Sequence, residues 1–415
     1  MDPTLSMQEG KLQVFVLSAD QYKPIEGAKV KITDMGTKNT IPELVTDSSG
    51  QTPIITLPAP DIEYTLEPDP PMQPYGEWQI TVTAEGYETV TIDGSELLAE
   101  ETSLQTVRMH PLTEKSTPEE VVVIPSHTLY GDYPAKIPEE EIKPVTDTGE
   151  IVLSRVVIPE YVIVHDGAPS DKNAKNYWVR YKDYIKNVAS SEIYSTWPEN
   201  AIYANILVIQ SFTLNRVYTE WYRNKGYNFT ITSSTAYDQK WIYGRNIYER
   251  ISRLVDNVFA NYLSRPGVKQ PIFTSYCDGK YVSCRGLSQW GSKNLAQDGY
   301  STIDILRYYY GNDIYINSAQ GISGVPSSWP GYELRTGSSG TKVVQLQNQL
   351  NRIARNFPAI PKLTADGIYG PKTAASVRSF QKVFGLPSTG VTDYATWYEI
   401  SDIYVAVSRI SEPGT

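Results

Sequence analysis

A chain of 415 residues exceeds one ordinary core, which sets an expectation of two to four domains. Hydrophobic residues at 40% and charged residues at 20% describe a globular chain and exclude a disordered one. The formal net charge of −10 argues against nucleic acid, whose phosphates would repel it. No window approaches the apolar length of a membrane span. The first ten residues lack a basic stretch followed by an apolar run, so no secretory signal is read there.

The first segment, 1–112, alternates apolar and polar residues as half-buried strands do. Leu12, Val14 and Val16 share one face, as do Val30 and Ile32, and then Ile80 and Val82. Turn signals at Asp47–Gly50 and Glu85–Gly86 separate these runs. The expectation is a small antiparallel β-sandwich, without a nucleophile, paired acids or a ligand cluster.

From 113 to 150 the composition shifts to Pro, Glu and Thr. The prolines of Ile137–Pro144 prevent a continuous helix or central strand. An extended linker is expected, with one short apolar run at Val121–Ile124. It reads either as a passive spacer or as a joint for proteolysis.

The segment 151–323 mixes strand-like and helical patterns, which makes it α+β. Strand character opens it at Val156–Val164, and helical periodicity covers Tyr181–Ala189. Glu192 is expected on a loop between two anchored helices, with Thr196 as a cap and Pro198 in the first turn of the second. An acid beside Tyr194 and Trp197 suits glycan cleavage. Aromatic burial favours a protonated carboxyl, and rings offer flat faces to sugars. On these residues alone, a helix start with core aromatics and an ordinary surface glutamate is the better explanation.

Cys277 and Cys284 flank Asp278-Gly279-Lys280, a turn signal that lets the thiols face each other. A structural role is expected for them. With three histidines spread along 415 residues, common zinc-amidase ligand sets are not built. Pairing either cysteine with His165 as a Cys–His hydrolase has no local support.

The last segment, 324–415, opens on a Gly/Ser/Pro linker and continues into a compact helical module. Val343, Leu346 and Leu350 share a core face, and Asp366-Gly-Ile-Tyr-Gly introduces a second amphipathic helix. Asp366-Gly367-x-Tyr369-Gly370 with Thr373 resembles the type 1 peptidoglycan-binding domain. The order Gly27-Ala28-x-Val30, Thr46-Asp47-x-x-Gly50, Gly86-Tyr87 resembles carboxypeptidase-regulatory-like sandwiches.

Residues Asp183 to Arg216 resemble the SpoIID/LytB signature, a Glu ahead of a small-residue-Trp-Pro-x-x-Ala helix. Gly286-Leu-Ser-Gln-Trp-Gly resembles that family's Met-Ser-Gln-Trp-Gly block and leads into Asp304-Ile-Leu-Arg-Tyr-Tyr-Tyr-Gly. The arrangement is similar to spore cortex-lytic enzymes of spore-forming anaerobes. That resemblance implies a lytic transglycosylase acting on peptidoglycan, with Glu192 as the catalytic acid. It further implies Tyr194, Trp197, Gln210, Ser288, Gln289 and Trp290 as substrate-binding candidates. No cofactor or metal is expected. The implied partners are spore cortex glycan and an activating protease, cutting a stored zymogen near Glu150–Val152. The implied location is the cell wall of the spore. Gln210 stands where relatives commonly have arginine, and Arg285 falls within a block that is often Gly-His-Gly.

Three other readings stay open. A hydrolytic muramidase or glucosaminidase needs a second carboxylate, for which Asp238, Asp278 and Glu220 are candidates. A non-catalytic wall-binding protein that modifies an amidase would make Glu192 structural. A peptide amidase is weakened by the missing metal ligands.

Overall fold

The computed structural model describes residues 6–113, 119–143, 156–319, 321–322 and 329–409. The cleavage position expected near Glu150–Val152 lies outside them, as do residues 323–328 of the second linker.

Two sheets make the N-terminal sandwich. Its strands are β1 (Met7–Ser18), β2 (Lys29–Asp34), β3 (Leu44–Val45), β4 (Ile55–Pro60), β5 (Gly76–Thr83), β6 (Thr89–Leu97), β7 (Thr102–Met109) and β8 (Glu119–Val123). One sheet runs β4-β1-β7 and the other β3-β2-β5-β6-β8. The alternating residues read from sequence face inward: Val14, Val16, Val30, Ile32, Ile80 and Val82 are all fully buried. The sandwich is mixed, where an antiparallel one was expected. β7 pairs parallel with β1, and β8 parallel with β6. The chain crosses to the other sheet after β4 and comes back at β7, so it returns in the direction of β1.

β8 corrects the linker boundary. The apolar run at Val121–Ile124 extends the second sheet, and Val122 and Ile124 are buried in the sandwich core. The stretch 125–143 has no regular structure but is no free spacer. His127, Leu129 and Lys143 are buried, because this strap lies against the next domain.

The central domain opens with β9 (Val157–Ile158), β10 (Tyr161–His165) and β11 (Asn176–Arg180). Helices α1 (Tyr181–Glu192) and α2 (Glu199–Tyr218) follow. β12 (Ile231–Thr232), β13 (Ile247–Tyr248), α3 (Glu249–Val258) and β14 (Asn261–Ser264) come next. β15 (Tyr276–Cys277), β16 (Leu287–Ser288), α4 (Gln289–Gln297), α5 (Thr302–Tyr310) and β17 (Tyr315–Ser318) complete it, and the short β18 (Gly321–Ile322) returns to β9. α2 is buried on nearly every side and contacts α1, α3, α4 and α5, which makes it the axis of the domain.

β13 belongs to the central domain in sequence and to the N-terminal sheet in space. Ile247 aligns with Leu104 and Tyr248 with Ser103 on the outer edge of β7. That edge would otherwise present unpaired backbone groups.

The C-terminal module is three helices, α6 (Thr341–Ile353), α7 (Pro371–Val383) and α8 (Tyr394–Arg409). Leu346, Leu350, Val377, Phe380 and Trp397 form its core. The Asp366–Tyr369 motif braces the helices. The Gln347 amide donates to Asp366 Oδ1 at 2.9 Å, and the Tyr369 hydroxyl donates to Gly390 O at 2.9 Å. α8 docks on the central domain through Lys182, whose ammonium meets Glu399, Asp402 and Asp256.

Candidate active site

α1 carries Glu192 as its last residue, because the helix runs three residues beyond the expected end. Glu192 therefore sits on a helix terminus and not on the expected loop. Ile193 is extended, and the next helix starts after Pro198, its N-cap. Thr196 does not cap it. The Thr196 hydroxyl shares a 2.7 Å hydrogen bond with Thr65 of the N-terminal domain.

The Glu192 side chain is buried but lines a cavity of about 370 Å³. Its Oε1 accepts the Lys240 backbone N–H at 2.8 Å. Its Oε2 has no hydrogen-bond partner. One oxygen is held by the backbone, and the other is enclosed in the protein near the Tyr276 hydroxyl. The Tyr276 hydroxyl lies beside Glu192 and Gln239. Burial, then the neighbouring Glu192, drives that phenol far above its ordinary value, so it stays protonated.

The opposite wall comes from the strap, with Tyr130, Tyr133, Pro134 and Lys136 all facing the cavity. Lys136 donates to the Asp238 carbonyl and lies 4.5 Å from the centre of the Tyr276 ring. Burial lowers its pKa against the pull of Glu192 and Asp238. Neither Lys136 nor Tyr276 was singled out by sequence. Lys136 sits in a Pro-rich stretch without periodicity, and Tyr276 carries no motif except its place before Cys277.

A third wall is the loop closed by the Cys277–Cys284 disulfide. Asp278 and Tyr281 of this loop face the cavity, and so does Gln289 at the start of α4. Both Asp278 carboxylate oxygens are engaged locally, accepting the Tyr281 and Val282 N–H groups at 2.8 and 2.9 Å. Gly279 has φ +78°, and a Cβ there would fall 1.8 Å from Ser288 Oγ. Only glycine lets the loop approach α4 this closely.

Of the seven residues expected at the site, Glu192 and Gln289 reach the cavity. Tyr194 and Trp197 lie beneath it. The Tyr194 ring stacks on His127 at 4.5 Å, and the Trp197 indole N–H donates to Thr65 O at 2.8 Å. Trp290 closes that aromatic cluster, 5.0 Å from Trp197. Ser288 is the N-cap of α4, accepting the Gly291 N–H at 2.9 Å. Gln210 is fully buried in α2, its amide without partners, and does not touch the cavity. The rings that line the cavity are those of Tyr130, Tyr133, Tyr276 and Tyr281, not the tryptophans.

The remaining acids separate clearly. Asp238 is fully buried, with Oδ1 on Arg216 and Oδ2 on Tyr222 and Thr232, so it braces the core. Glu220 lines a different cavity beside Trp221. Asp278 alone of those three shares the cavity with Glu192. Among the described residues, no group of three His, Cys, Asp or Glu is placed to hold a metal ion. His165 stacks on Phe229, and the disulfide occupies both cysteines.

Residues 339–400 match the family described as putative peptidoglycan binding domain. The C-terminal module is a peptidoglycan-binding domain. That assignment covers α6, α7 and the start of α8, and it points to cell-wall association. Among the described residues, no helix is long and apolar enough to cross a membrane. No curated protein matches the chain.

Solved structures are similar only over small parts of it. The minor pilin of Streptococcus agalactiae is 15% identical over 27% of this chain and 49% of its own, with a TM-score of 0.18. The chain thus spans about half the length of that protein. The 5-hydroxyisourate hydrolase of Klebsiella pneumoniae is 16% identical over 25% of this chain and 92% of its own, with a TM-score of 0.16. Catechol 1,2-dioxygenase of an Acinetobacter species is 15% identical over 29% and 60%, with a TM-score of 0.18. At these scores the likenesses carry no functional argument.

Proposed function

We propose that this protein is a lytic transglycosylase of spore cortex peptidoglycan, stored as a zymogen. The observation that carries the reading is the buried Glu192 carboxyl lining a cavity, on a chain that also holds a peptidoglycan-binding domain. In the acid form, Glu192 donates its proton to the oxygen linking N-acetylmuramic acid to N-acetylglucosamine, and the C1–O bond breaks. The resulting carboxylate takes the proton from the muramic 6-hydroxyl. O6 then bonds to C1, closing a 1,6-anhydro ring and restoring the acid. One carboxyl serves both transfers, and no water enters. The protonated Tyr276 phenol lies beside the acid, and Gln289 with Tyr281 contacts the sugar.

The strap is the reason for the zymogen reading. Its Tyr130, Tyr133, Pro134 and Lys136 line the cavity that holds Glu192, and in this reading a cut within 144–155 frees the strap to leave.

Hydrolysis is the second reading, favoured by Asp278 in the same cavity. Wall binding without catalysis is the third, with Glu192 as a structural acid. A protein beginning at Val152, and its Glu192→Gln variant, would be incubated with purified cortex and the fragments weighed by mass spectrometry. Anhydro ends from the wild type alone support the transglycosylase. Reducing ends turn the assignment to hydrolysis with Asp278, and no fragments from either protein leave wall binding.

A further inference from the structure

Two separate surfaces hold the N-terminal part of the chain to the central domain, and both lie before residue 144. The first is the sandwich edge. β13 pairs with β7, and within this junction Arg245 donates to Glu96 at 2.6 Å, both side chains almost completely buried. Asn246 adds a reciprocal pair with the Glu96 backbone, donating to its carbonyl at 2.8 Å and accepting its N–H at 3.0 Å. Trp197 and Lys293 reach across to the carbonyls of Thr65 and Leu66 at 2.8 and 2.7 Å.

The second surface is the strap. The Ile137 N–H donates to Ala236 O at 2.7 Å, and the Phe273 N–H donates to Glu141 O at 2.9 Å. Arg216 and Arg265 each grip a strap carboxylate, Glu139 and Glu141. Neither surface depends on the covalent connection through 144–155.

We propose that the severed N-terminal part, sandwich and strap together, remains bound to the central domain as a noncovalent inhibitor. A cut in the connection is then necessary but not sufficient, and dissociation of this fragment is the step that opens the cleft. The inference rests on the zymogen reading for its consequence, but the retention itself does not.

A buried ion pair and a shared strand edge explain the persistence. Separation would strand Glu96 and Arg245 unpaired and return the β7 edge to water. The strap has less buried contact of its own, but the sandwich keeps it at high effective concentration over the cleft.

The test uses the full chain with a protease recognition sequence inserted between Asp147 and Thr148. After complete cutting, size-exclusion chromatography at about 1 μM protein is expected to show both fragments in one peak, which sets the dissociation constant below that concentration. Hydrogen exchange is expected to keep the Ile137 and Phe273 amides as protected as in the intact chain. Fragments that elute separately overturn the proposal. Co-elution with both amides exposed also overturns it, because the strap has then left the cleft.

An Arg245→Ala variant, cut in the same way, is expected to release the N-terminal fragment. If that variant does not fold, dilution of the cut wild type through increasing urea locates the release before core unfolding. Cortex digestion by the core recovered in this way is expected to exceed that of the cut complex. Equal digestion by both overturns inhibition. A recovered core that folds but never digests cortex, with co-elution intact, faults the functional reading and leaves the retention standing.

Discussion

Arg216 grips Glu139 with two parallel hydrogen bonds, Nη1 to Oε2 at 2.8 Å and Nη2 to Oε1 at 2.6 Å. The same guanidinium donates through Nε to Asp238 at 2.7 Å. One arginine at the end of α2 therefore joins the strap to the floor of the core. The fork geometry of arginine suits this, where a lysine would supply a single point charge.

Removing either end of that link has unequal consequences. Arg216→Ala leaves Asp238 buried and unpaired, and is expected to cost about 3–5 kcal/mol of stability in thermal or denaturant unfolding. Glu139→Ala touches a less buried side chain, and is expected to cost about 1–3 kcal/mol. A larger loss for Glu139→Ala than for Arg216→Ala would contradict the assigned roles.

The strap should also loosen in acid. Burial alone would raise the Glu139 pKa, but Arg216 and Lys143 outweigh it and hold it below its ordinary 4.5. A depressed carboxylate stabilises above the unfolded value and loses that contribution as pH falls through the folded one. Exchange at the Ile137 amide is therefore expected to keep its protection above about pH 4.5 and to lose it progressively below. Protection unchanged well into acid would remove Glu139 from the link.

Glu101 behaves in the opposite sense. Burial against α3 pushes its pKa from 4.5 to about 7, with Arg250 and Ser195 opposing the rise. Between those values the folded state holds the proton more tightly, so stability falls as pH rises and levels off above about 7. Glu101→Gln is expected to flatten that slope, by up to about 3 kcal/mol. Parallel pH profiles of melting temperature in wild type and variant measure it.

Glu192→Gln keeps the acceptor for the Lys240 N–H but removes the proton. Cortex cleavage by the freed domain is expected to fall by about 10²–10⁴-fold, with stability little changed. Unaltered digestion would make Glu192 structural.

Reducing the Cys277–Cys284 bridge frees a short loop that carries Asp278 and Tyr281 into the cavity. A loop of this size is worth about 2–3 kcal/mol in the chain-entropy account. Melting with and without a reducing agent is expected to differ accordingly, and a Cys277→Ser, Cys284→Ser variant should melt like the reduced protein.

Sequence by itself determined the parts whose burial repeats along the chain. Alternation in β1, β2 and β5 placed the sandwich core, helical spacing placed α1 and α6, and the Asp366–Tyr369 motif marked the peptidoglycan-binding domain. The facing cysteines were also legible, since turn chemistry is local, whereas Glu192 stood out only through the family resemblance. Only tertiary structure decided what surrounds them. Lys136, Tyr276 and Tyr133 line one cavity with Glu192 from distant segments, and no periodicity links those positions. Trp197 and Trp290 read as sugar platforms, yet they lie beneath the cavity, because an indole fills core volume as readily as it covers a sugar. The strap carries the same lesson: prolines exclude helix and central strand, but they do not keep a chain away from a neighbouring surface. Its position follows from ion pairs such as Arg216–Glu139, whose partners lie far apart in sequence and meet only when the core has formed.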